Sequence, residues 1–240
     1  MKHTIAALFS VIACSASAQA SVLTFEFTAI INTITQFEVA GFRITPLTSS
    51  ALSGSTLSVG DSFIGRFSYN TESGVVYNYA QPGGSESYYG GYFGSNLDGN
   101  RVSGKFSPSA FGFDTGSKFN TNVHVIDSAA GGARDSIEIT GYGVSPANTS
   151  QTLLVTLQDD DGTAFSSSAL PQSLSTNMAG TFNYSYNIDS PGIISDQING
   201  EITSLRQISA VPEVSSYVML LAGAGLIGMV TRRRNRKYDA

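Results

Sequence analysis

The chain has no tryptophan, one cysteine and two histidines in 240 residues, and only 13% of its side chains are charged. Each shortage removes a class of chemistry. The single cysteine, Cys14, falls within the first twenty residues, so the rest of the chain forms no disulfide and depends on its own core. Beyond that leader the one histidine is His124, and a lone histidine without cysteine does not assemble an ordinary zinc site. No metal and no cofactor is expected. His124 alternates with Val123 and Val125, which turns its ring toward solvent or a polar neighbour.

Helical periodicity is also missing from the body of the chain. Residues 22-VLTFEFTAII-31 alternate Phe25 and Phe27 with Thr24, Glu26 and Thr28, the period of two that marks a half-buried strand. Similar runs recur at 37–44, 62–69, 101–106, 122–127, 136–144, 152–157, 180–188 and 198–205. Gly, Pro, Asn and Asp turns separate them. The expected fold class is all-β, an antiparallel β-sandwich or jelly-roll-like ectodomain. The stretches 65-GRFSYNTESG-74 and 180-GTFNYSYNIDSPG-192 echo one another, as equivalent hairpins or by chance recurrence of a favoured strand-turn pattern.

Charge is unevenly placed. Residues 21–210 hold 7 Lys plus Arg against 16 Asp plus Glu, a net charge near −9, while the whole chain carries −5. An acidic body argues against nucleic acid as partner, because phosphate must be neutralised by cations. The missing positive charge sits at the far end. Val214 to Val230 is a run of 17 uncharged residues, and Arg232, Arg233, Arg234, Arg236 and Lys237 follow it. A membrane span needs about 17–25 apolar residues, and a basic cluster beside one stays cytoplasmic. One C-terminal transmembrane helix is expected at about 214–230, with a basic tail at 232–237.

At the other end, residues 1–20 read as a secretory signal peptide: Lys2, the apolar Ile5–Ala13, then Ala18-Gln19-Ala20 as a cleavage site for signal peptidase. Val11-Ile12-Ala13-Cys14 resembles a lipobox, the alternative in which Cys14 is lipidated rather than discarded. Either way the predicted organisation is signal 1–20, ectodomain 21–210 and terminal segment 211–240, with the ectodomain outside the inner membrane.

The order of the tail, Pro212-Glu213, then an apolar Gly- and Ala-containing segment, then an Arg cluster, resembles the PEP-CTERM sorting signal of Gram-negative, exopolysaccharide-producing bacteria. The resemblance covers residues 211–240. It implies recognition by an exosortase-type processing enzyme, membrane anchoring before processing, and delivery to the cell surface or extracellular matrix. Val214 stands where that motif usually has a second proline. Proline would hold the site extended, so the departure bears on cleavage near Pro212-Glu213. The runs 22–31, 59–70 and 198–205 look like the β-rich ectodomains that carry such signals.

Three stretches of the body are candidates for chemistry. Gly60-Asp61-Ser62 looks like the opening of the Gly-Asp-Ser motif of lipase-like hydrolases, but a serine nucleophile needs a base, and the C-terminal histidine of those enzymes has no counterpart here. Asp159-Asp160-Asp161-Gly162 is an acidic turn with weak calcium binding as its alternative. The aromatic stretch 76-VYNYAQPGGSESYYGGYFGSN-96 reads as two Tyr-rich strands joined by a Pro-Gly-Gly-Ser loop, with Tyr88, Tyr89 and Tyr92 as candidate sugar contacts. Paired carboxylates for glycoside hydrolysis cannot be selected from so many acids.

The sequence thus points to an exported, non-enzymatic surface or matrix protein with a structural or adhesive role near exopolysaccharide. A carbohydrate-binding module built on residues 76–96 is the alternative, and a membrane-anchored hydrolase of unrecognised type the third.

Overall fold

In a computed structural model the strand that begins at Val22 runs for 17 residues, to Glu38, and its in-and-out alternation holds as far as Asn32. The described residues are 22–52, 55–81, 84–90, 99–109, 111–115, 121–128, 134–145, 149–188 and 194–210. The expected signal peptide with Cys14, the Pro212-Glu213 motif, the apolar segment and the basic tail lie outside them. Among the described residues no helix is long and apolar enough to cross a membrane, and the one helical turn is the 3-10 turn Val39–Gly41.

The strands are β1 (Val22–Glu38), β2 (Arg43–Leu47), β3 (Ser49–Leu52), β4 (Ser55–Ser58), β5 (Ser62–Asn70), β6 (Val75–Gln81) and β7 (Gly84–Tyr89). They continue with β8 (Arg101–Ser107), β9 (Gly112–Asp114), β10 (Thr121–Ser128), β11 (Asp135–Ser145), β12 (Thr149–Asp159), β13 (Ala179–Ile188) and β14 (Ile194–Ala210). Twelve of them form one sheet in the order β6-β7-β10-β11-β12-β13-β14-β1-β5-β8-β9, with β2 paired to β1, and β3 and β4 form a separate ribbon. The first and last strands are neighbours. Asn199 meets Thr33, Thr203 meets Thr28 and Arg206 meets Glu26, so β14 and β1 run in opposite directions like the other pairs.

A sheet this wide curls on itself, because strand twist accumulates across it. The inward residues show how far. Phe63 of β5 stacks on Phe182 of β13 with ring centroids 4.9 Å apart, and Phe106 of β8 meets Tyr184 of β13 edge-on at 5.5 Å. Side chains from the two arms of the sheet therefore share one core, centred on Phe25, Phe27, Phe63, Phe67, Phe106 and Phe182. Each such ring contributes about 1.5–3 kcal/mol by leaving water. Two glycines make room for them. Gly65 lies opposite Phe27, and Gly104 lies one strand over; a Cβ on either would collide with the ring of Phe27 or Phe63 respectively.

The connection between β12 and β13, residues 160–178, closes over this core with Leu170, Leu174 and Met178 buried. Tyr69 donates to the Pro171 carbonyl at 3.0 Å and Tyr89 to that of Ser168 at 2.8 Å. Asp135, fully buried on β11, accepts from the backbone N–H groups of Ser128 and Phe165 at 2.9 and 2.8 Å.

One expected strand is corrected. Residues 37–44 form a tight hairpin between β1 and β2, with Phe42 left-handed at φ 48° and its N–H bonded to the Val39 carbonyl at 3.3 Å. Phe42 and Ile44 are exposed there.

Candidate functional site

The aromatic stretch forms an edge hairpin. β6 and β7 pair with Tyr77 opposite Tyr88 and Tyr79 opposite Glu86, so alternation puts these four on one face. That face points outward: Tyr77 is 56% and Tyr79 47% exposed. Tyr89, the next residue, must point the other way. It is 4% exposed and hydrogen-bonded inside, which removes it as a sugar contact. Tyr92 lies outside the described residues. Adjacent Tyr88 and Tyr89 cannot share a strand face, and that signal was available in the sequence.

His124 sits one strand further in. Its register partners are Tyr88 on β7 and Glu138 on β11. Nε2 lies 3.0 Å from a Glu86 carboxylate oxygen and Nδ1 3.3 Å from one of Glu138. Only the imidazolium can donate from both nitrogens. Burial opposes the charged ring, but the two carboxylates outweigh it and hold the pKa above the ordinary histidine value. The Tyr88 ring stacks on it, 3.9 Å between centroids and 8° from parallel. The polar neighbour expected of His124 is thus a pair of carboxylates from the flanking strands. Among the described residues no three His, Cys, Asp or Glu side chains converge as metal ligands.

The outer face at the other end of the sheet carries a charged ladder. Glu26 of β1 accepts two bonds from Arg206 of β14, at 3.1 and 2.6 Å, and two from Arg66 of β5, at 2.9 and 2.7 Å. These bonds, Arg206 first, hold the Glu26 carboxyl below the usual range. Two strands on, Arg101 of β8 grips Asp114 of β9 at 3.0 and 2.6 Å. Register sets Arg66 opposite Ser103, Ser103 opposite Asp114, and Lys105 opposite Ile64 and Gly112. Between them lies a shallow groove of about 500 Å³, floored by Ser103, Gly104 and Gly112. Nothing in the sequence marked these residues as neighbours, because they come from five strands.

The remaining candidates serve the fold. Asp159 accepts from the Thr163 N–H at 2.9 Å, and Asp161 from the Thr163 hydroxyl at 2.7 Å. Asp160 pairs with Arg134 at 3.1 Å, and Gly162, at φ 65°, completes the turn. The Thr163 backbone bond is the main cause that lowers the Asp159 carboxyl. Asp61 caps the turn between β4 and β5 by accepting from the Ser58 N–H at 2.9 Å, with Gly60 at φ 94°. Ser62 begins β5, paired with Ile30 and Ser107, while both nitrogens of His124 are engaged by Glu86 and Glu138.

No family model matches the chain, and no curated protein or solved structure matches it.

Proposed function

We propose that the chain is an exported, non-enzymatic surface or extracellular-matrix protein with a structural or adhesive role, its curled sheet a sandwich-like, jelly-roll-like scaffold. The observation that carries this reading is the order of the tail: Pro212-Glu213, the uncharged Val214–Val230, then Arg232, Arg233, Arg234, Arg236 and Lys237. Signal peptidase and an exosortase-type enzyme are the partners that act on it. The acidic body, near −9 over residues 21–210, suits solubility outside the cell.

The test is the intact mass of the protein recovered separately from membrane, surface and medium. Material ending near 211–213 at the surface or in the medium supports sorting and cleavage. A mass running to Ala240 in the inner-membrane fraction overturns release and leaves a tethered domain.

A second reading is favoured by the outward tyrosines. Tyr77, Tyr79 and the His124-backed Tyr88 form an aromatic face with Glu86 beside it, and sugar rings stack on such faces while carboxylates take their hydroxyls. A carbohydrate-binding module of this kind loses retention on neutral glycans such as dextran when Tyr77 and Tyr79 become Ala. Unchanged retention removes it.

A further inference from the structure

Seven Lys and Arg residues are all that residues 21–210 contain, against 16 acids. Four of the seven, Arg66, Arg101, Lys105 and Arg206, lie on the outer face of β14, β1, β5 and β8, and β9 brings in Asp114. Glu26 and Asp114 are the carboxylates that line the groove among the described residues. Arg66 and Lys105 line the groove with those two carboxylates, and Arg101 and Arg206 flank it through bonds to the same two, so this cluster of six groups sums to +2 on a body near −9. A charge of the opposite sign to the whole, gathered from separate strands by register, is the feature that needs an explanation.

We propose that this face binds an anionic polysaccharide, one whose sugars carry carboxylates, with Arg66, Arg101, Lys105 and Arg206 taking the carboxylates around the groove. The proposal rests on the reading that the protein works beside polysaccharide, and it names the charge class of that partner. The arginines are already oriented for it. Each engages its neighbouring carboxylate through Nε and Nη2. An arginine has five N–H donors, so Nη1 and the second Nη2 proton are left over. All three side chains are more than half exposed, and the bound carboxylate fixes the guanidinium plane, which reduces the entropy lost on binding. Lys105 is exposed, and no carboxylate among the described residues pairs with it.

The alternation of sign along the ladder selects among polyanions. Arg206, Glu26 and Arg66 lie on adjacent strands, and the two guanidinium groups flank one carboxylate, each bonded to a different oxygen of it. Sparse carboxylates separated by hydroxyls fit that alternation, because the Ser103 hydroxyl, set by register between Arg66 and Asp114, can bond sugar hydroxyls between the cations. A nucleic acid, with a phosphate at every unit, would meet both acids and the repulsion of the whole body. The groove floor is bare backbone at Gly112, the register partner of the outward-facing Lys105, which lets an extended chain lie close to the sheet there.

The test is affinity electrophoresis of the full-length protein in mild detergent, through gels holding polygalacturonate, dextran or single-stranded DNA. Retardation by polygalacturonate that weakens as salt rises is expected. Lys105→Glu and Arg206→Gln should each weaken it, roughly two- to five-fold for a lost exposed contact, with the Lys105→Glu melting midpoint unchanged. Retardation by dextran without polygalacturonate overturns the proposal and leaves a neutral-glycan module standing. No retardation by either overturns both. Equal retardation by DNA at matched charge overturns the assignment to sugar, and so does polygalacturonate binding that both variants retain in full.

Discussion

The ring of Tyr88 lies flat on the imidazole of His124, 3.9 Å between centroids and 8° from parallel, while Glu86 and Glu138 hold the two ring nitrogens at 3.0 and 3.3 Å. The arrangement combines a desolvated cation, two counter-charges and an aromatic lid. It spans three adjacent strands, β7, β10 and β11, and so fastens the edge hairpin to the body of the sheet.

This bridge makes stability depend on pH in a stated direction. Facing His124 are Glu86 and Tyr88 from β7 and Glu138 from β11, with Tyr77 of β6 packed beyond Tyr88. The folded-state pKa of His124 is raised, so the folded protein holds the proton more tightly than the unfolded chain. The stabilisation is complete below the unfolded value of about 6.5 and is lost as pH rises through the raised folded value. The melting midpoint should fall as pH is taken upward from 6. His124→Gln should lower the midpoint at pH 6 by the loss of charge-assisted bonds, about 1.5–3 kcal/mol, and should flatten the slope. Parallel curves for the two proteins would assign the titration to another group.

Much of the fold was legible in the sequence because alternation is local. The runs at 22–31, 62–69, 101–106, 152–157 and 180–188 fall within β1, β5, β8, β12 and β13. What alternation does not encode is which strand lies beside which. The salt-bridged trio Glu26, Arg66 and Arg206 spans up to 180 positions of sequence, and no local pattern links its members. The 37–44 hairpin misled for a different reason. Its Phe and Ile residues favour strands, but they sit on an arm that extends past the core, so their burial could not be inferred from their type. Tyr89 was an avoidable error, since neighbours on a strand face opposite ways.

The close fit of rings over glycines predicts an asymmetric response to added methyl groups. A Cβ at Gly104 would occupy the space of the Phe63 ring, which is itself fully buried. Gly104→Ala should cost about 1–3 kcal/mol through overpacking. Gly74 has nothing within 4 Å of its would-be Cβ, so Gly74→Ala should be neutral or gain up to about 1 kcal/mol from the unfolded state. Urea midpoints at unchanged slope measure both; equal losses at the two sites would contradict the packing.

Asp135 should be intolerant even of its own amide. Its two oxygens accept from different backbone donors, Oδ1 from Ser128 and Oδ2 from Phe165. Asparagine can keep one of these bonds but turns an N–H₂ group toward the other donor. Asp135→Asn and Asp135→Ala should each destabilise by about 1–3 kcal/mol for every backbone N–H left unpaired. Because Phe165 belongs to the 160–178 connection, limited proteolysis should cut that segment first in both variants. Cleavage at wild-type rates would show that the connection is held by its apolar contacts alone.

Two buried tyrosines make the last test, since they differ chiefly in what their hydroxyls meet. Burial pushes both phenols far above their ordinary pKa, so neither ionises in the folded protein at any ordinary pH. The Tyr69 hydroxyl donates to the Pro171 carbonyl at 3.0 Å, whereas that of Tyr184 has no hydrogen-bond partner among the described residues. An unpaired buried hydroxyl carries its desolvation penalty without return. Tyr184→Phe should therefore leave stability unchanged or raise it by about 1 kcal/mol. Tyr69→Phe should lower it by about 0.5–1.5 kcal/mol, because the bond is lost and a carbonyl is stranded. The two rings sit in the same core, on β13 and β5, so differences in ring packing largely cancel in the comparison. If Tyr184→Phe proved the more damaging of the two, that hydroxyl must have a partner beyond the described residues, and the closure of the core near Phe106 and Phe113 would have to be redrawn around it.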